Sequence, residues 1–128
     1  MPFVSYLIQY FIMKRKKEKS PKISEAVFRG SKTAYNFEVF PLDIEFQETP
    51  AVFVISHRKT DRFGRGHHKL ICVGQTESIV QELKKHKKGK SLKQNKANVI
   101  CILAEQDEKS RVKIEEDLRS VHTVPCLH

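Results

Sequence analysis

Two clusters of basic side chains have the chemistry to bind a polyanion. The first is a run of seven lysines: Lys84, Lys85, Lys87, Lys88, Lys90, Lys93 and Lys96. The second is a polar stretch at 57–69 that carries Arg58, Arg62 and Arg65. Such side chains contact phosphate oxygens and supply affinity without sequence specificity. A solvated basic surface remains the alternative for both clusters, and no aromatic residue is interleaved with the lysines to stack on bases.

The charge of the whole chain agrees with a polyanionic partner. The 128 residues carry 24 Lys and Arg against 15 Asp and Glu, which gives a net charge of +9. An excess of this size on one small domain attracts nucleic acid or an anionic membrane. Charge alone does not assign a function, because a solvated basic surface has the same composition.

The three cysteines are expected to be reduced thiols. Cys72, Cys101 and Cys126 are widely spaced and form no CxxC pair. An odd count without a recognisable secretory signal favours free thiols in the cytoplasm. A structural zinc site is not expected either, because the adjacent His67 and His68 have no spaced cysteine partners.

The N-terminal residues differ in composition from the rest of the chain. Residues 3–13 are apolar, and residues 14–19 are almost entirely basic. A membrane-spanning helix needs about 20 apolar residues, so this stretch is too short to span. It is a short helix packed on the domain, an interfacial membrane anchor, or sequence upstream of a true start at Met13. Residues 1–30 are thus interpreted as an apolar segment with a basic linker, and residues 31–128 as one domain.

Hydrophobic periodicity places the elements that would position these residues. Alternation at Tyr35, Phe37 and Val39 indicates one strand, and three β-branched apolar runs indicate others. The predicted strands cover 34–40, 51–55, 70–73 and 99–103.

Two helices are predicted between and after these strands. One begins after the N-cap Ser78, and the other covers residues 110–122. The stretch 57–69 is predicted to be a flexible hairpin loop, and 87–96 a lysine-rich loop. This order predicts an α+β fold with a small central, mainly antiparallel sheet flanked by helices.

Two ordered motifs resemble the GIY-YIG nuclease domain, and the resemblance covers residues 34–128. Residues 50–55, Pro-Ala-Val-Phe-Val-Ile, lie where that family has Gly-Ile-Tyr. Residues 71–76, Ile-Cys-Val-Gly-Gln-Thr, lie where it has Tyr-Ile-Gly and a small polar turn that opens a helix. Residues 35–42 are also similar to the opening of a group of small, uncharacterised prokaryotic members. The resemblance implies a GIY-YIG-like fold.

The resemblance also implies roles for residues further along the chain. His86 lies at the distance from Gly74 where family members often carry a histidine. Residues 114–118 resemble the helix with the family's metal-binding glutamate, which is Glu115 here. Pro125 and the cysteine after it match the closing segment. An active member would use Mg²⁺ or Mn²⁺ on that glutamate to cut a phosphodiester.

Four family positions differ from the pattern in this chain. The two motif tyrosines are Phe53 and Cys72, the helix arginine is Glu82, and the closing asparagine is Leu127. Phe53 lacks the tyrosine hydroxyl. The Cys72 side chain is too short to reach the position that a tyrosine hydroxyl would occupy. Glu82 would repel the phosphate that an arginine attracts, and losing one positioned donor costs ~10²–10³-fold in rate. The candidate catalytic residues are Phe53, Cys72, Glu82 and His86, which occupy family positions.

The sequence therefore predicts a degenerate family member that binds nucleic acid without cutting it, and it identifies no certain cofactor. One alternative is a metal-dependent endonuclease with a rebuilt site, in which Glu115 holds Mg²⁺ or Mn²⁺ and His86 or His57 is the base. In that alternative an arginine of the 57–69 stretch replaces the missing guanidinium. A second alternative is a membrane-peripheral interaction protein that uses residues 3–13.

Overall fold

The computed structural model describes residues 22–126. The apolar stretch at 3–13, with its three interpretations, and Leu127 lie outside the described residues. Within the described range the elements follow in the order β1 (Ser24–Arg29), β2 (Ala34–Pro41), β3 (Ala51–Thr60), β4 (Gly66–Thr76), α1 (Ile79–Lys87), α2 (Ser91–Gln94), β5 (Val99–Ala104) and α3 (Glu108–Val121). None of the helices between residues 22 and 126 has the length and apolar character needed to cross a membrane.

The five strands form one antiparallel sheet in the order β1-β2-β5-β3-β4. β3 is paired on both sides, with Phe53 opposite Gly74 of β4 and Ile102 of β5. β4 is therefore an edge strand. The prediction of an α+β fold with a mainly antiparallel sheet flanked by helices is confirmed.

Alternation along β3 divides the core into two faces, because successive strand side chains point to opposite sides of a sheet. Phe53 and Ile55 belong to a buried cluster that also contains Ile79 and Leu83 of α1, and we call this side the α1 face. Val52, Val54 and Leu118 of α3 belong to the cluster on the other side, which we call the α3 face. Burial of these side chains contributes about 1.5–3 kcal/mol each to the free energy of folding.

The elements with clear apolar periodicity agree with their predictions. Strands occur at all four predicted places, and α1 begins after Ser78, whose Oγ accepts a hydrogen bond from the Gln81 N–H at 3.1 Å. α3 begins at Glu108, slightly earlier than expected. The reason is that Asp107 caps it by accepting the Ser110 N–H at 3.0 Å, as N-cap residues do.

β1 was not predicted, because the chain before residue 30 was interpreted as a linker. It pairs with β2 from Ser24 opposite Val39 to Arg29 opposite Ala34. The turn between the two strands is held by Asp117 of α3, whose carboxylate accepts the Tyr35 hydroxyl at 2.7 Å. That hydrogen bond is the main reason why the pKa of Asp117 lies below its usual value. β1 thus belongs to the folded domain.

The prediction of a flexible loop over 57–69 was wrong. β3 continues to Thr60 and β4 begins at Gly66, so only a short turn separates them. Pairing of β3 with β5 ends at Ser56 opposite Val99. Beyond Ser56 the hairpin is two-stranded, so few of its side chains are buried and the sequence lacks the apolar alternation that marks a strand.

The lysine-rich segment at 87–96 is likewise not a loop throughout. It contains the short helix α2, which begins at Ser91. Leu92 of this helix is buried on the α1 face. One apolar residue in a helical turn is too little for a periodic signal, so the sequence did not reveal the helix.

Candidate functional site

The β3–β4 hairpin ends in a turn held by the Asp61 side chain. One carboxylate oxygen of Asp61 accepts the N–H groups of Phe63 at 2.8 Å and Arg65 at 3.0 Å. The other lies 2.9 Å from Nε2 of His67, and this contact is the main reason why the pKa of Asp61 is lowered. Gly64 adopts a φ of 83°, which a glycine reaches without strain. The tip of the hairpin therefore has a defined backbone.

An aromatic ring is exposed at this tip. The Phe63 side chain is 70% exposed. The guanidinium carbon of Arg62 lies 5.3 Å from its ring centroid, and that of Arg65 lies 5.6 Å away. Both distances fit cation–π contacts. The hairpin thus presents one flat apolar surface between two cations, and both arginines are among the predicted binding residues.

The third predicted arginine lies further down the hairpin. Arg58 is half-buried, and its guanidinium crosses β4 at Gly66, where a Cβ would lie 2.7 Å from Nε. Its Nε is buried without a hydrogen-bond partner in the described part of the chain. Glycine at position 66 leaves the space that this guanidinium occupies.

The lysine-rich segment lies beside the base of the hairpin. All seven lysines of residues 84–96 are exposed. Nδ1 of His57 is hydrogen-bonded to the Lys96 carbonyl at 2.9 Å. The Asn98 side chain accepts the Arg58 N–H at 2.7 Å and donates to the Arg58 carbonyl at 2.9 Å. These hydrogen bonds join the end of the lysine-rich segment to the base of the hairpin, and we call the two stretches together the basic end.

Four residues at family positions, Phe53, Cys72, Glu82 and His86, lie together on the α1 face. The rings of Phe53 and His86 meet edge to face, with 5.6 Å between their centroids. Nε2 of His86 lies 3.1 Å from the Glu82 carboxylate, one turn earlier in α1. Cys72 is fully buried in the same core cluster as Phe53. The pattern therefore identified residues that are neighbours in space.

This group of side chains is closed to a large substrate. Phe53 and Cys72 have no exposed surface, and the side chains of Glu82 and His86 are 10% and 11% exposed. A phosphodiester in a polynucleotide must reach the groups that act on it. Because these four side chains are buried or almost buried, residues 22–126 offer no opening through which a phosphodiester could reach them.

The predicted metal ligand Glu115 lies on α3. The neighbouring Ile114 and Leu118 pack on the α3 face, opposite the core cluster that contains Phe53. The Glu115 carboxylate is paired with Nε of Arg119 at 3.1 Å, and Arg119 also donates a hydrogen bond to the Val73 carbonyl. The hydrogen bond from Arg119 to Val73 thus ties α3 to β4. A metal ion on Glu115 would lie beside that guanidinium and be repelled by its charge.

The expectation of three reduced thiols was wrong. Cys72 and Cys126 form a disulfide, with their Cα atoms 5.0 Å apart. Separated by 54 positions, they gave no local pattern from which the pairing could be read. Cys101 is free and buried on the α3 face, and burial raises the pKa of its thiol to about 12.

A serine–histidine pair on the hairpin was also not predicted. Oγ of Ser56 and Nδ1 of His68 are 2.7 Å apart, and burial lowers the pKa of His68. A neutral histidine beside a serine is an arrangement used for nucleophilic catalysis. Ser56 has no exposed surface, however, so its hydroxyl does not reach a substrate and the pair stabilises the hairpin.

The most informative residue that sequence reasoning missed is Phe63. Its only signal was a single aromatic side chain between two arginines in a polar stretch, and this was outweighed by the absence of aromatics among the lysines.

Comparison of the chain with protein-family models, with curated proteins and with solved structures gave no match.

Proposed function

We propose that this protein binds nucleic acid at the basic end and does not cut it. The observation that carries the proposal is the exposed Phe63 ring, held between Arg62 and Arg65 on an ordered hairpin tip. Proteins that bind single strands combine cations that follow the backbone with aromatic rings on which bases stack. The hairpin tip has both parts in one turn.

Charge argues for a polyanion over a protein partner at this tip. Residues 57–69 carry five Lys or Arg against one acidic residue, Asp61. That carboxylate is already committed to the turn, because it accepts three hydrogen bonds from within the hairpin. An approaching phosphate backbone therefore meets guanidinium and ammonium groups, and a base can stack on Phe63.

The lysine-rich segment extends the same surface. Residues 84–96 contain no acidic residue and carry seven exposed lysines, and the segment meets the hairpin at Lys96, whose carbonyl is hydrogen-bonded to His57. Lysine contacts with phosphates raise affinity for any sequence. We therefore propose a single strand that stacks on the tip and runs along the lysines, without sequence preference.

The absence of cutting is supported by the burial of the altered family positions. In our proposal the chain is a degenerate GIY-YIG-like domain, and a hairpin whose second strand leads through Gly74-Gln75-Thr76 into α1 agrees with that resemblance. Where the family implies tyrosines and an arginine near a phosphate, this chain has packed Phe53, Cys72 and Glu82 in its core. In this proposal, these positions contribute to core packing instead of acting on a phosphate.

The proposal is tested by fluorescence anisotropy with a labelled single-stranded oligonucleotide over a series of salt concentrations. Affinity should fall steeply with salt, and Arg62→Ala/Arg65→Ala should reduce the slope of log Kd against log salt by about 1.5. Lys109→Ala/Lys113→Ala removes the same charge from exposed positions on α3 and is the matched control. No binding at low salt, or equal loss in both double variants, would refute the basic end as the binding surface.

The same preparation tests whether the protein cuts. Incubation of the oligonucleotide with Mg²⁺ or Mn²⁺ should leave it intact. Cleavage that is lost in Glu115→Ala would show the endonuclease alternative to be correct. The location of the binding surface is tested separately, by the anisotropy experiment.

A further inference from the structure

Three potential metal ligands converge at the edge of the α1 face. Cys72, His86 and Cys126 each place a ligand atom within 4.8 Å of the others. The two cysteines are buried, and the His86 side chain is 11% exposed. They come from β4, α1 and the C-terminal tail, so only the folded chain brings them together.

Local features of three elements produce this convergence. The β3–β4 pairing shifts register between Ile55 and Ser56, and Ile71 on β4 is left out of it. Such a bulge leaves one residue outside the ladder. The Ile71 carbonyl accepts the Cys126 N–H at 3.1 Å, which fixes the tail beside β4. Cys126 is thereby held against Cys72, the neighbour of Ile71.

We propose that the reduced protein binds one Zn²⁺ ion through Cys72 Sγ, Cys126 Sγ and His86. Zinc takes thiolate and imidazole ligands in tetrahedral sites, with Zn–S distances of about 2.3 Å and Zn–N distances of about 2.0–2.1 Å. Ligand atoms at those distances lie ~3–4 Å from one another, so the two sulfur atoms that are bonded in the disulfide would have to separate on reduction to bind the ion. Three protein ligands leave one coordination position for a water molecule or a further donor.

Glu82 is the independent observation that favours a metal. Histidines that bind zinc commonly donate their other ring N–H to a carboxylate, which fixes the ring orientation. Glu82 lies 3.1 Å from Nε2 of His86, and this assigns Nδ1 to the metal. Glutamate is rarely buried unless it is paired, and the buried Glu82 has His86 as its partner. A disulfide alone would require neither His86 nor Glu82 at this place.

The disulfide and the metal site exclude each other, because they use the same two sulfur atoms. In a reducing compartment disulfides are rare, and the two cysteines would be thiols. Zinc binding then releases two thiol protons to the solvent, and no electrons are transferred. The resulting unit of one Zn²⁺, two thiolates and a neutral histidine has no net charge, which suits a buried position. The expectation of no structural zinc site rested on the adjacent His67 and His68, which have no spaced cysteine partners.

The role of this site is structural and does not depend on the proposed nucleic-acid binding. The ion would join the C-terminal tail to β4 and to the end of α1, from which the lysine-rich segment starts. Either proposal can therefore fail while the other stands.

The test begins with full-length protein in two states. A phosphine reductant opens the disulfide, taking an oxygen atom from water to become the phosphine oxide and leaving two thiols. Reduced and oxidised protein are then titrated with Co²⁺ under anaerobic conditions. The reduced form should bind one Co²⁺ per chain, with thiolate-to-cobalt charge-transfer absorption and tetrahedral d–d bands, and Zn²⁺ should displace it. The oxidised form should show none of these bands.

Variants then identify the ligands. Cys72→Ser and Cys126→Ser should each weaken cobalt binding by at least 100-fold, and Cys101→Ala is the matched control that should bind normally. Glu82→Gln keeps the shape of the side chain, and it should retain the cobalt spectrum while weakening binding ~10–100-fold. Absence of thiolate–cobalt bands in the reduced protein, or their persistence in Cys126→Ser, would overturn the proposal. If a serine variant fails to fold, the comparison of reduced with oxidised protein decides the matter.

Discussion

Two phenylalanines of the same hairpin lie in opposite environments. Phe53, in β3, has no exposed surface and meets the ring of His86 edge to face. Phe63, at the tip, is 70% exposed and lies between two arginines. Phe53, at the position that resembles a nuclease tyrosine, packs in the core, whereas Phe63, in a stretch without apolar periodicity, is exposed beside two cations. Burial and exposure of the two rings therefore predict different effects of substitution.

The largest effect is expected from Phe53→Ala. Removal of a fully buried ring should lower the free energy of unfolding by about 3–5 kcal/mol, because transfer and cavity costs add. Denaturant unfolding measures the loss, and Phe53→Leu, which keeps most of the volume, is the control with a smaller loss. A loss below about 1 kcal/mol would mean that the site is not tightly packed, and the argument that burial closes this group of side chains to a substrate would fail.

Phe63→Ala should give the opposite result. Affinity for a single strand should fall by ~1–3 kcal/mol, or ~5–150-fold, because one stacked base is lost. The free energy of unfolding should change by less than about 0.5 kcal/mol, as for other exposed positions. Anisotropy and denaturant unfolding give the two values, and Phe63→Tyr, which keeps the ring, should bind normally. Unchanged binding in Phe63→Ala would exclude stacking on Phe63.

The same contrast explains what the sequence could and could not reveal. Strands with one or two buried faces have apolar patterns, so β3, β4 and β5 were found, together with the cluster positions Phe53 and His86. The two-stranded part of the hairpin and α2 bury almost nothing and gave no pattern. The Cys126 contact depends on a bulge in β4 and on how the tail returns to it, and neither is encoded in local periodicity.

A smaller effect is expected from the turn that presents Phe63. Gly64 has a φ of 83°, and Gly64→Ala should cost about 1–2 kcal/mol in the folded turn, because a Cβ is strained there. Nucleic-acid affinity should fall along with hydrogen-exchange protection at the tip. Gly89→Ala is the matched control, since an added Cβ at that glycine meets nothing closer than 3.5 Å. Equal behaviour of the two variants would show that the tip backbone is not what positions Phe63.

The smallest effect is a dependence of stability on pH that belongs to the hairpin base. Burial, and after it the charge of Arg58, lowers the pKa of His68 below its ordinary value of 6.5. The unfolded chain therefore takes up the proton first as the pH falls. The contribution of neutral His68 to stability is complete above pH 6.5 and decreases as the pH falls below that value.

His68→Gln should flatten this part of the stability curve, which denaturant unfolding between pH 7.5 and pH 5 measures. His122→Gln is the control for removal of a histidine, because His122 is partly exposed and lies at the end of α3, where its ring is hydrogen-bonded to the Arg29 carbonyl at 2.8 Å. Phe53 and its cluster contribute packing that does not titrate with His68, so the loss should be the same in Phe53→Leu as in the parent protein. A loss that depended on Phe53 would mean that the hairpin base and the buried cluster are coupled, and the separation between core position and binding surface would no longer hold.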